Sequence, residues 1–92
     1  MALHPDRIAD LLRQEFPPPT RIQVEDEGAL HVGHAGQGSG HFRVRIVASF
    51  FAGQPRLARH RMVYDALQPL MGAGIHALAI HAQSPAEAGG EH

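Results

Sequence analysis

The sequence predicts an α+β domain with the element order helix, strand, strand, helix, strand, short helix. Three observations lead to this fold class. Two segments repeat their apolar residues with helical spacing, three short segments read as strands, and 92 residues suffice for about one domain. This order favours a three-stranded mixed sheet that carries its helices on one face. We therefore expect one domain over residues 1–92, with a core at about 5–88 and a tail at 89–92.

The first helix is predicted from about Pro5 to Phe16. Proline is well tolerated at the first helical position, so Pro5 marks a start. Three consecutive prolines at 17–19 then end the helix. The apolar residues of the segment share one helical face: Ile8, Leu11, Leu12 and Phe16.

Two alternating segments predict the first two strands, which we expect to pair antiparallel. Ile22 and Val24 alternate with polar residues in the first strand. In the second, one face is apolar (Phe42, Val44, Ile46, Ala48) and the other is partly basic (Arg43, Arg45, Val47, Ser49). Residues 27–40 hold five glycines and two histidines without periodicity, which predicts a long flexible loop. Loops of this length in a compact domain tend to be functional.

The second half of the chain predicts a helix, a strand and a last short helix. One face of the second helix is formed by His60, Val63, Tyr64, Leu67, Leu70 and Met71. Pro69 should end or distort that helix in its last turn. Residues 75–82 are apolar on both faces, as in a central or crossover-connected strand, and we expect this strand to run parallel to the second. Ser84 and Glu87 form a capping box for a helix that Gly89 and Gly90 close.

Composition excludes several classes of function. The chain contains no cysteine, so it cannot form a disulfide or a thiolate metal site alone. Its formal charge of −1 argues against strong non-specific attraction to nucleic acid. No signal peptide and no membrane span are evident, so we expect a cytoplasmic protein without membrane contact. No nucleophile–base pair, carboxylate dyad or phosphate loop is present, so we expect no enzymatic activity.

Four separate motifs resemble those of the BolA-like family. They are His41-Phe42-Arg43-Val44, the F-x-G of 51–53, the R-H-R-x-V-Y of 59–64 and the H-A-L of 76–78. Their order and spacing also match, and the resemblance runs from about Ile8 to Glu87. It implies a fold similar to type II KH domains.

The resemblance also implies a function and a site. BolA-like proteins pair with monothiol glutaredoxins to hold a bridging [2Fe-2S] cluster for iron trafficking or iron-dependent signalling. The implied ligands are His76 and a loop histidine, for which His34 fits best and His31 is the alternative. The cluster would be shared with the glutaredoxin and glutathione, and the isolated chain would bind none. We expect the chain alone to be a monomer or weak homodimer.

The residue types agree with this chemistry independently of the family. Two imidazoles can replace two thiolates on one iron of a [2Fe-2S] cluster, and this chain can supply imidazoles only. His76 is expected to open the third strand as a fixed ligand, and His34 to be recruited from the loop. In the alternative interpretation His76 caps the strand through a backbone hydrogen bond. We expect His41 to form a structural hydrogen bond, and His60 to donate to a carbonyl between helix and sheet.

A different function follows if the arginines form one basic patch. The residues concerned are Arg43, Arg45, Arg56, Arg59 and Arg61. Such a patch would suit DNA, in keeping with family members described as transcriptional regulators of stress response and cell morphology. Nine carboxylates offset the eight arginines of the chain, which limits affinity from counterion release.

Overall fold

The computed structural model describes residues 3–28 and 40–89, and its elements follow the predicted order. These are α1 (Pro5–Glu15), β1 (Arg21–Asp26), β2 (His41–Val47), α2 (Arg56–Ala66), β3 (Ala77–Gln83) and α3 (Pro85–Gly89). Two 3-10 turns, Ser49–Phe51 and Gln68–Leu70, follow β2 and α2. Among the described residues no helix has the length and apolar character needed to cross a membrane.

The sheet is mixed, as predicted, and its strands lie in the order β1-β2-β3. β1 pairs antiparallel with β2, so that Val24 lies opposite Val44. β3 pairs parallel with β2, which places Ile80 beside Val44. Because α2 connects β2 to β3, β3 is the crossover-connected strand. The alternative that it is central is wrong, since β2 occupies the centre and β3 an edge.

The register of the three strands places their apolar side chains on one face of the sheet, and α1 and α2 pack against that face. The buried cluster comprises Ile8, Leu12, Phe16, Phe42, Val44, Ile46, Ala48, Phe51, Val63, Leu67, Leu70 and Ile75. The first helix is therefore amphipathic as predicted. Only part of the predicted apolar face of α2 is buried, because Tyr64 remains 37% exposed. Tyr64 lies about 100° around the helix from Val63, which points straight at the sheet.

Side-chain caps begin α1 and α3, and a proline follows the end of α2. His4 precedes α1, and its Nδ1 accepts a hydrogen bond from the Asp6 backbone N–H over 3.1 Å. α2 ends at Ala66, and Pro69 lies in the 3-10 turn that follows, so the predicted helix end is confirmed. The capping box is also confirmed: the Ser84 N–H donates to Glu87 Oε1 over 2.7 Å, and the Glu87 N–H donates to Ser84 Oγ over 3.3 Å.

Candidate functional site

His76 lies at a bend immediately before β3, not on its first residue as predicted. The strand begins at Ala77, and the preceding Ile75 is buried and forms only an isolated bridge with Met71. The side chain of Ile75 is buried in the core, and that of the next residue, His76, points outward. The side chain of His76 is exposed.

The backbone of His76 is tied to the first residue described after the loop. The N–H groups of His76 and Ala77 both donate to the Gly40 carbonyl oxygen, over 2.8 and 3.1 Å. The backbone of His76 thus forms the strand-capping hydrogen bond that the alternative interpretation of this residue predicts. The imidazole of His76 forms no hydrogen bond with residues 3–28 or 40–89.

Gly40 is a position where only glycine fits. Its φ is +78°, in the left-handed region that favours glycine. A Cβ atom here would collide with Cδ2 of His76 and would lie 2.6 Å from the Gly74 carbonyl oxygen. The backbone of Gly40 therefore supports the imidazole directly. From the sequence, Gly40 is only one of five loop glycines, although its place just before the His41 motif distinguishes it.

This contact places His76 where the predicted loop rejoins the sheet. The loop histidines His31 and His34 lie outside the described residues. Within the described residues no group of three or more His, Cys, Asp or Glu side chains could hold a metal ion. The described residues around His76 therefore do not form a metal-binding cluster of three or more such side chains by themselves.

The other histidines occupy different surroundings. His41 begins β2 half-buried and lies opposite Ala77, the neighbour of His76. His60 is half-buried on α2 and lines a groove with Ile80 and Ala82. The predicted bond from His60 to a backbone carbonyl is wrong, because its ring has no hydrogen-bond partner among the described residues. The groove that it faces is open to water.

The five arginines do not form one patch. Arg43 and Arg45 lie on the sheet face away from the helices, where Arg43 Nε contacts Glu27 Oε2 and Arg45 Nε contacts Glu25 Oε1, each at 3.0 Å. Arg56 and Arg61 are exposed on α2, which covers the opposite face. The sheet separates these two pairs.

The guanidinium of Arg59 forms hydrogen bonds within the fold. Its side chain is 13% exposed. It donates to the carbonyl oxygens of Gln54 and Ala82 over 2.8 and 3.0 Å and pairs with Glu87 Oε1 at 2.7 Å. The hydrogen bond from Arg59, with those from Ser84, lowers the pKa of Glu87 from 4.5 to about 2. Arg59 thus joins α2 to β3 and α3.

Known proteins share both this sequence pattern and this fold. A family model described as "BolA-like protein" matches residues 12–87. DNA-binding transcriptional regulator BolA from Escherichia coli (strain K12) is 41% identical over 76 residues, which cover 83% of this chain and 70% of that protein. SufE-like protein 1, chloroplastic/mitochondrial, from Arabidopsis thaliana is 41% identical over 88 residues. Those cover 88% of this chain but 24% of that longer relative.

Solved structures agree with the sequence comparisons. The BolA domain of SufE1 from Arabidopsis thaliana superposes with a TM-score of 0.78 and 42% sequence identity, covering 94% of this chain and 99% of that domain. The family model runs from the last turn of α1 into α3 and includes all three strands and α2. The chain therefore belongs to the BolA-like protein family.

Proposed function

We propose that this chain pairs with a monothiol glutaredoxin and contributes imidazole ligands to a [2Fe-2S] cluster shared by the two proteins. His76 is the ligand from the folded domain. The second comes from the 27–40 loop, with His34 as the first choice and His31 as the alternative. The chain acts by binding and not by catalysis, in an adaptor role in iron-sulfur trafficking or iron signalling.

The observation that carries the proposal is the placement of the His76 imidazole. The ring is exposed, rests on Gly40 and has no competing hydrogen bond among the described residues. A histidine that binds iron needs an accessible ring nitrogen and benefits from a ring held in place by its neighbours. His76 meets both conditions, because its side chain is exposed and its ring contacts Gly40. Its position beside the end of the loop lets a loop histidine approach the same iron.

The donor set of the chain fits one half of such a site. Imidazoles on one iron of a [2Fe-2S] cluster raise its reduction potential relative to an all-thiolate cluster. The chain contains eight histidines and no cysteine, so thiolates must come from the glutaredoxin and glutathione. A shared cluster therefore requires the partner, and we expect none on the isolated chain.

The test is reconstitution with a monothiol glutaredoxin, glutathione, iron and sulfide. The visible absorption and circular dichroism of the glutaredoxin cluster should change when this chain is added. His76→Ala should abolish that change, and His34→Ala should alter it. If His31→Ala alters the spectrum and His34→Ala does not, the loop ligand is His31.

The matched control is His81→Ala, because His81 is an exposed histidine on β3 away from Gly40. It should leave the mixed spectrum unchanged. An unchanged glutaredoxin spectrum in the presence of the native chain would refute the pairing. A full spectral change with His76→Ala would remove His76 as a ligand.

A second candidate function is DNA binding, which is favoured by the name of the Escherichia coli relative. The exposed Arg56 and Arg61 on α2 are the suitable contacts, since the guanidinium of Arg59 is already engaged within the fold. Affinity should fall steeply with salt and should weaken for the Arg56→Ala and Arg61→Ala variants. Binding that is independent of salt would count against this function.

A further inference from the structure

Along the edge of β3 away from β2, the backbone groups of Leu78 and Ile80 have no hydrogen-bond partner among residues 3–28 and 40–89. The Ala77 N–H and the Gln83 carbonyl point toward β2, where they bond to Gly40 and Ala48. Peptide groups alternate in direction along a parallel strand, so those of Leu78, Ile80 and Ala82 point away from β2. The Ala82 carbonyl confirms the direction, because it accepts from Arg59 outside the sheet. Ile80 lies at the centre of this edge.

The two edges of the sheet are protected differently. Proteins commonly guard an exposed edge with charged residues or proline. β1 follows this rule with Arg21, Glu25 and Asp26, and a triple proline precedes it. β3 reads Ala-Leu-Ala-Ile-His-Ala-Gln and contains no proline, arginine, lysine or carboxylate. Its edge is therefore suited to pairing with another strand.

One flank of α2 continues this surface. His60 lines a groove of about 560 Å³ together with Ile80 and Ala82, so its side of the helix faces the β3 edge. Leu57 and Tyr64 lie on the same flank, three residues before and four after His60. They are 64% and 37% exposed and make up two of the three exposed large apolar side chains in the described residues. The edge thus has the exposed apolar side chains of Leu57 and Tyr64 beside it, while Arg56, Arg59 and Glu87 line the groove near its end.

We propose that this surface binds a second copy of the chain through antiparallel pairing of the two β3 strands about Ile80. Ile80 then faces Ile80 of the other copy, and Leu78 faces Ala82, so a large side chain always meets a small or equal one. On the open sheet face Ala79 lies beside His81, and no like-charged residues meet within the strands. The result is a continuous six-stranded sheet.

The direction of α2 also suits an antiparallel arrangement. The two-fold axis sets the two α2 helices antiparallel to each other. Helix dipoles align favourably in that orientation. A heterologous partner would need to supply the same complementary pattern, whereas a second copy supplies it by symmetry.

Arg59 limits the strength of this association. Its Nη1 already donates to the Ala82 carbonyl, which is also the acceptor that Leu78 of the second copy would use. Two of the six backbone hydrogen bonds therefore compete with Arg59. We expect a reversible dimer that forms at high protein concentration.

Two measurements on the full chain test the pairing directly. Sedimentation equilibrium from tens of micromolar to about 1 mM should show a monomer–dimer equilibrium. Over the same range, amide hydrogen exchange measured by NMR should slow at Ile80 and Leu78, while Ala79, which bonds within the sheet, should not change. A monomer at the highest concentration would overturn the proposal, as would a dimer in which the Ile80 amide exchanges as fast as in the monomer.

Surface variants provide the matched comparison. Tyr64→Arg places a cation close to the symmetry axis and should raise the dimer Kd at least about tenfold. Gln14→Arg makes a similar change on an exposed site of α1, away from β3, and should leave the Kd unchanged. Equal effects of the two variants would overturn the proposal. Protection of Ile80 that requires glutaredoxin and not high concentration would also overturn it, in favour of a heterologous partner.

Discussion

At the scale of single residues, the candidate site depends on the contact between Gly40 and His76. His76 stands in a recognisable motif and is predicted as a ligand candidate, whereas Gly40 lies just before the His41 motif. The contact itself could not be predicted, because it joins positions 36 residues apart through the parallel pairing of β2 and β3. The same contact turns a glycine of the predicted loop into a support for the imidazole.

We expect Gly40→Ala to destabilise the fold and to disturb the site. Its Cβ would collide with the His76 ring and with the Gly74 carbonyl oxygen in a strained backbone conformation, so the free energy of unfolding should fall by about 1–3 kcal/mol. Urea denaturation measures this loss. Gly53→Ala is the control, because Gly53 also has a positive φ of 74° but nothing lies within 4 Å of its added Cβ.

The comparison separates backbone strain from the collisions at Gly40, which involve both the His76 ring and the Gly74 carbonyl oxygen. Gly40→Ala should cost more stability than Gly53→Ala and should alter the spectrum of the mixed glutaredoxin cluster, which Gly53→Ala should preserve. Equal losses of stability and equal spectra would show that the imidazole does not rest on Gly40.

At the scale of elements, the last helix shows how local and tertiary contacts combine. The Ser84 and Glu87 capping box is predicted from spacing alone, since both residues belong to one helical turn. Arg59 joins this turn from α2, which local pattern could not indicate. An arginine of the predicted DNA patch thereby becomes a link between three elements.

Because Glu87 titrates, the stability that its ion pair with Arg59 contributes depends on pH. Its pKa is about 2 in the folded protein against an ordinary value of 4.5, so the folded state favours the charged form. The stabilisation is therefore complete above about pH 4.5 and is lost as pH falls toward 2. Thermal unfolding between pH 7 and pH 2 should show this decline.

The matched variants are Glu87→Gln and Glu15→Gln. Glu87→Gln should lower the melting temperature at pH 7 and flatten the decline between pH 4.5 and 2, because the ion pair with Arg59 is gone. Glu15 is exposed at the end of α1, so its variant should retain the native profile. Identical profiles for Glu87→Gln and the native chain would contradict the role of this ion pair.

At the scale of the whole molecule, stability rests on one small core. Phe51 is fully buried, and its ring centroid lies 5.5 Å from that of Phe16. Phe50 contacts the same ring at 5.6 Å but remains 46% exposed. Adjacent phenylalanines thus differ in how much apolar surface they remove from water.

Phe51→Ala should cost about 3–5 kcal/mol, a large share of the roughly 5–15 kcal/mol available to a small domain. Phe50→Ala should cost about 1 kcal/mol, because much of its ring is already in water. Urea denaturation of the two variants checks the difference. Similar losses would mean that the two rings contribute alike to the core.

The sequence by itself determined the element types, their order, the mixed sheet, the capping box of α3 and the kinds of metal donor available. These features follow from composition and from local periodicity, which act between residues a few positions apart. The absence of cysteine needs no fold to be informative, and it alone requires a partner for any shared cluster.

Only the tertiary structure decided which of these residues meet. It placed the His76 ring on Gly40, engaged Arg59 within the fold, left Tyr64 exposed and made β3 an edge strand. Each outcome depends on how helices and strands pack against one another across long separations in the chain. A periodic pattern specifies which face of an element is apolar, whereas the fold decides how much of that face is covered.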